Sequence, residues 1–205
     1  MSWLIFVILS VVFVTAISLF EKYFLVHYIK DTKDLLTIGV LGFSLISLFL
    51  IFFIDFNLTW AILPAAFAGI IHFIGLYFYY QGLSKEEVSV AVPLLSLMGV
   101  FILIFSYFLF GEVFTLIEYI GIFTLIIGTF LISMENFSLP KFGQAFFLLI
   151  LAGFLFAIRS ISTNYAMFDL QPLEFVFWMG MGALIPSLFF AFRNFSELKK
   201  VKKPV

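Results

Sequence analysis

Along this chain apolar residues come in long unbroken runs, and the charged residues gather in the gaps between them. Runs suited to a helix crossing about 30 Å of hydrocarbon, which takes about 20 residues, cover 3–20, 37–54, 60–82, 88–110, 116–134, 145–167 and 173–192. A membrane β-barrel would show segments of about ten residues alternating apolar and polar. Stretches such as Phe101-Ile-Leu-Ile-Phe105 do not alternate at all. The pattern therefore predicts an all-α membrane protein, a polytopic helical bundle of seven transmembrane helices. The gaps are 55–59, 83–87, 111–115, 135–144 and 168–172, with 21–36 the longest, so none holds a folded soluble domain. Helices joined this tightly are antiparallel neighbours in one bundle. The first run starts Met-Ser-Trp with no basic leader and no clean small-residue cleavage pattern, and reads as a retained helix.

Composition sharpens this. The chain is 64% hydrophobic and 11% charged, with mean hydropathy +1.21, against about 45–50% and 25% for a soluble domain. That excludes a soluble enzyme and a disordered chain, and a net charge of −1 offers no field for nucleic acid. Without cysteine there is no disulfide, thiol nucleophile or thiolate metal site. Lys22, Lys30, Lys33, Lys85, Lys141, Arg193, Lys199, Lys200, Lys202 and Lys203 all fall on one side of the membrane. The other side carries Asp55, Glu112 and Asp169. The bias of basic residues predicts a cytoplasmic C-terminus and an external N-terminus, in a multi-pass protein of the cell membrane.

Only Glu118, Arg159 and Glu174 among the charged residues lie inside the runs. Arg159 is the costly one, at about 2.5–3.5 kcal/mol for insertion at a helix centre. It has three readings: snorkelling to the interface, pairing with Glu118, or lining a wet cavity where it meets a carboxylate or phosphate of a substrate. Ser162, Thr163 and Asn164 follow it closely and favour an interior position. His72 heads a strip with Gly75, Tyr79 and Gly82 at i+3, i+7 and i+10, along one helix face. That strip is either a close-packed seam with the imidazole bonding across it, or a cavity lining in which His72 titrates with coupled protons. A lone His with no second ligand at i+4 makes no metal site. Glu118, in the first turn of its run, suits capping as well as pairing. Tyr77, Tyr79, Tyr80 and Trp178 are candidates for an aromatic cavity wall with cation–π capacity, whereas Trp3 and Trp60 read as interfacial anchors. The basic tail Lys199-Lys200-Val-Lys202-Lys203 can touch anionic lipid, and its main expected role is to fix topology.

The stretch Tyr79-Tyr-Gln-Gly-Leu83, Val88-Ser-Val-Ala-Val-Pro-Leu-Leu-Ser-Leu97, Phe108-Leu-Phe-Gly-Glu112, Tyr119-Ile-Gly121 and Gly128 resembles an EamA-type member of the drug/metabolite transporter superfamily. The positions carrying the resemblance are Tyr79, Leu83, Pro93, Gly111, Glu112, Gly121 and Gly128. Gly82 replaces the usual Ala, and Gly99 stands where many members have Pro, leaving Pro93 to supply the kink. Such proteins usually contain two five-helix repeats. The resemblance implies a first repeat over 1–135 and, over 136–205, the first two helices of a second, inverted one with the basic tail. An offset of 142 lays Ile8, Leu9, Ser18 and Tyr23 on Ile150, Leu151, Ser160 and Tyr165. An offset of 140 does the same for Gly42, Ser47, Leu48 and Phe49 with Gly182, Ser187, Leu188 and Phe189. On this reading the chain resembles a transporter lacking its last three spans. Members often keep both termini in the cytoplasm, whereas the basic residues here place the N-terminus outside.

The function so implied is transport of small organic metabolites or drugs, as exporter or permease, by alternating access. The expected partners are a small-molecule substrate, the lipid bilayer and a second copy of the chain, with no cofactor and no nucleic acid. The substrate-cavity candidates are Arg159, His72, Tyr79, Asn164 and Trp178. A membrane-embedded enzyme is the competing class, but it needs clustered Asp, His, Glu or Ser–His groups. No Asp lies in a run, and His72 has no acidic neighbour one turn away. A retinal-type receptor needs a lysine in a late helix, and 173–192 has none. An incomplete, non-transporting fragment is a further alternative.

Overall fold

A computed structural model describes residues 2–28, 31–55, 58–132 and 143–198. It is helical throughout, with no strand among the described residues. The elements are α1 (Ser2–His27), α2 (Thr32–Phe49, extended by a 3-10 turn Leu50–Phe52), α3 (Ile62–Leu83), α4 (Val88–Ser96), α5 (Met98–Phe110), α6 (Leu116–Ile132), α7 (Gln144–Ala166) and α8 (Pro172–Leu198). Among the described residues six helices are long and apolar enough to cross a membrane, α4 and α5 together forming one of them, while α6 is a shorter apolar helix. The fold class is an all-α membrane helical bundle, and large apolar side chains cover its surface as the surrounding lipid requires. Lys30, Lys141, Lys199, Lys200, Lys202, Lys203 and most of the stretch Asn136–Gly143 lie outside the described residues.

The longest expected gap, 21–36, closes to a few residues, because α1 runs on to His27 and α2 starts at Thr32. Two causes are visible. Glu21 and Lys22 find partners inside the bundle instead of entering a loop. Beyond them Tyr23 stacks on His27 at i+4, with ring centroids 4.4 Å apart, supporting the last turn. Asp31 then caps α2 by accepting the Lys33 N–H at 2.9 Å.

The centre of the bundle is α3, packed against α7 and α8, with α2 closing on α8 and with α4 and α5 lying on α7. These contacts run backbone to backbone over small residues. A Cβ added at Gly69 would strike the backbone of Met179 and Ala183, and one at Gly182 the backbone of Ala66. The Ser44 hydroxyl donates to the Gly180 carbonyl at 3.0 Å, tying α2 to α8. Close approach over small residues with hydroxyl bonds between helices is how helices associate where lipid removes the hydrophobic drive.

The fourth span is two helices. Pro93 has no N–H to give and its ring crowds the preceding turn, and the helix breaks at Leu97, one turn further on. There the Leu97 N–H turns to Leu94 O, so the Pro93 carbonyl loses its helical donor. Two hydroxyls replace it: Ser96 Oγ donates at 2.6 Å and Thr129 Oγ1, from α6, at 3.3 Å. Thr129 is buried, on a helix whose described side chains are otherwise largely exposed. The proline break therefore makes the polar seat on which α6 rests.

Candidate functional site

Two of the three charges inside the apolar runs serve helix ends. The Glu118 carboxylate accepts the Thr115 N–H at 2.6 Å and its hydroxyl at 2.9 Å, a capping box Thr-x-x-Glu opening α6. Glu174 does the same for α8, accepting the Gln171 N–H at 2.9 Å across Pro172 at the first helical position. Glu118 is thus engaged at its own helix start, and the pairing with Arg159 weighed from sequence does not form. Arg159 is left as the charge that no helix end explains.

Arg159 sits on α7, one turn beyond Phe156, with its guanidinium carbon 5.8 Å from the Phe156 ring centroid. That cation–π contact is its neighbour, and among the described residues no acidic group pairs with it. Its Nε is buried without a hydrogen-bond partner. On α3, His72 meets the same ring, 5.8 Å from Phe156 and 6.4 Å from Phe43 of α2, centroid to centroid. Its Nδ1 is also buried and unpartnered. Gly75 makes this possible: a Cβ there would lie 2.6 Å from Phe156 Cε1, so only a glycine admits the ring between the helices. His72, Phe156 and Arg159 therefore form one layer between α3 and α7, with two polar nitrogens lacking partners.

The other sequence candidates fall elsewhere. Gly82 on the same strip receives Leu149 of α7, which makes the strip a close-packed seam as well. Tyr79, about 10 Å along α3 from His72, is buried next to α1. Asn164 is exposed, about 140° round α7 from Arg159. The Ser162 and Thr163 hydroxyls are absorbed by the carbonyls of Ile158 and Arg159. Trp178 packs with Phe177, 5.1 Å between centroids, against the apolar cluster of Ala65, Ala68 and Met179.

Sequence reasoning missed a second polar group. On α1 the residues turned to the bundle are Ser18, Glu21, Lys22 and Leu25, spaced i, i+3, i+4 and i+7, while Leu4 to Val14 face outward. Tyr80 donates to Glu21 Oε1 at 2.7 Å. Lys22 Nζ donates to Leu83 O at 2.6 Å and Glu86 O at 2.7 Å, holding α1 to the end of α3. The signal was the spacing itself, hidden because the first run was ended at residue 20.

A family model described as the EamA-like transporter family matches residues 1–134. The chain belongs to this family. No curated protein and no solved structure matches it. Of the positions that carried the sequence resemblance, Leu83 and Gly111 have structural reasons in this chain. Leu83 is fully buried, and its carbonyl receives Lys22. Gly111, at φ 67°, ends α5 in the left-handed conformation that glycine tolerates, with the Glu112 N–H returning to Ser106 O. The Glu112 side chain is exposed, so its place in the motif goes with a helix end. Gly121 and Gly128 of α6 face open space, and a Cβ there would meet nothing within 4 Å. The protein is an integral membrane protein of a transporter family, and that membership speaks against an enzyme.

Proposed function

We propose that this EamA-like protein carries small organic metabolites bearing a carboxylate or phosphate across the cell membrane by alternating access, with Arg159 as the group that meets the anionic end. The observation that carries the reading is the unpaired guanidinium. A charge held at the middle of a membrane helix is expensive, and such residues mark substrate or ion pathways when no structural partner accounts for them. Its flat fork suits carboxylate or phosphate, which it can grip through two parallel hydrogen bonds. His72 meets the same Phe156 ring with an unpartnered Nδ1, ready to bond a hydroxyl or amine of the same molecule. The capping roles of Glu118 and Glu174 support the reading, since neither carboxylate satisfies Arg159 from within.

The second half of the bundle fits this use. Helices α7 and α8 pack on α3; read as the opening pair of a second repeat, they would put Arg159 near where repeats meet, and transporter sites form there near the midplane. The test is uptake and efflux in proteoliposomes of a panel of amino acids, dicarboxylates, sugar phosphates and cationic drugs. Transport of anionic or zwitterionic compounds is expected. Movement of cationic drugs alone would refute the assignment of Arg159.

A further inference from the structure

Helix α1 lies beside α4 and α2 and reaches the end of α3 through polar side chains, where a membrane helix would ordinarily be apolar. Ser18, Glu21 and Lys22 are the polar positions α1 turns inward, and Glu21 is a half-buried ionisable group. Its sequence neighbour Lys22 does not neutralise it, because the ammonium is turned away to Leu83 O and Glu86 O and sits beside the Glu86 and Glu87 carboxylates. From α3, Tyr80 donates to Glu21 Oε1 at 2.7 Å. From the same helix the Tyr79 hydroxyl, on a side chain only 4% exposed, points at Glu21 and Ser18 without completing a hydrogen bond. On α2, a Cβ added at Gly39 would lie 3.8 Å from the Tyr80 hydroxyl.

We infer that Glu21, with the hydroxyls of Tyr79, Tyr80 and Ser18, is a proton-binding site, and that the proton is the ion coupled to transport. The coupling rests on the transporter reading above, whereas the proton site stands on this geometry alone. The chemistry has two arrangements differing by one proton. Ionised, Glu21 accepts from Tyr80 and offers a second acceptor to Tyr79, whose buried hydroxyl then gains the partner it lacks. Protonated, Glu21 carries a hydrogen of its own and donates it to the Tyr79 oxygen, while Tyr80 keeps its bond. A buried polar group that can complete its bonding in either state is suited to taking up and releasing a proton without leaving a group unpaired. The proton exchanges with water at the nearby helix ends, where Lys22, Lys85 and Gln144 gather.

Infrared difference spectroscopy tests the site on the full chain reconstituted in lipid, with pH as the only variable and no transported compound required. Wild-type protein should show a carboxylic-acid C=O band that appears on acidification and vanishes on alkalinisation. Glu21→Gln should lack that band. Tyr79→Phe, which keeps the Tyr80 bond, should retain it at a higher frequency, as expected for a carboxyl group with one hydrogen-bond partner fewer. A wild-type band unaffected by Glu21→Gln, or one unmoved in Tyr79→Phe, would overturn the site. Proteoliposome uptake of the compounds found in the panel, with and without an imposed pH gradient, then tests the coupling. Gradient-driven accumulation should disappear in Glu21→Gln while exchange persists, and full gradient response in that variant would overturn it.

Discussion

The Thr129 hydroxyl of α6 lies 3.3 Å from the carbonyl oxygen of Pro93, a carbonyl stripped of its helical donor by the break at Leu97. One imino acid in α4 thereby determines where a neighbouring helix binds. A carbonyl without a donor in a membrane interior is costly, and a hydroxyl from the adjacent helix removes that cost. Thr129→Val, nearly the same shape without the donor, should lower stability by about 1 kcal/mol, and Thr129→Ser should keep most of it. Unfolding of purified protein in detergent as denaturant is raised measures both.

The glycines sort by what faces them. Gly182→Ala puts a Cβ against the Ala66 backbone, which has no means of retreat, so folded yield should fall sharply. Gly75→Ala meets the Phe156 ring, which can turn aside, and a loss of about 1–3 kcal/mol is expected for such overpacking. Gly121→Ala and Gly128→Ala meet nothing and should be neutral or slightly stabilising. Thermal unfolding across the four variants checks the order.

Capping and substrate binding separate by additivity. Glu118→Ala removes the acceptor of the helix cap and should lower stability. If the carboxylate does not pair with Arg159, combining it with Arg159→Leu should give the sum of the single effects within about 0.5 kcal/mol. A recovery of stability in the double variant would restore the ion pair rejected above.

The helical class, the positions of most spans and the family were legible because lipid selects by length and hydropathy, which sequence displays directly. Pro93 also announced a kink, though not that Thr129 would fill the bonding gap it leaves. The end of α1 was misplaced for a physical reason. Glu21 and Lys22 look like the start of a loop, and only their partners Tyr80, Leu83 and Glu86, some 60 residues away, keep them in a helix. Arg159 and His72 were each visible as oddities, but their common neighbour Phe156 was not, because nothing in one sequence says which aromatic will fit against Gly75. Asn164, five positions from Arg159, shows that nearness in sequence on a helix is not nearness in space.

Orientation follows from labelling. The protein has no cysteine of its own, so single cysteines report cleanly. Cysteine at Lys33 or Lys85 should react only with reagent on the cytoplasmic side, and cysteine at Asp55 only from outside. Reaction at Asp55 from the cytoplasm would reverse the arrangement.

The most direct measurement of the central claim is transport by Arg159 variants in proteoliposomes, read beside their thermal stability. Arg159→Leu removes a charge that is costly in the membrane, so stability should hold or rise, while uptake of anionic and zwitterionic compounds should fall at least about tenfold, the loss of one charge-assisted contact. Arg159→Lys keeps the charge without the fork and should retain partial uptake. Undiminished uptake by Arg159→Leu, at wild-type stability, would contradict the account.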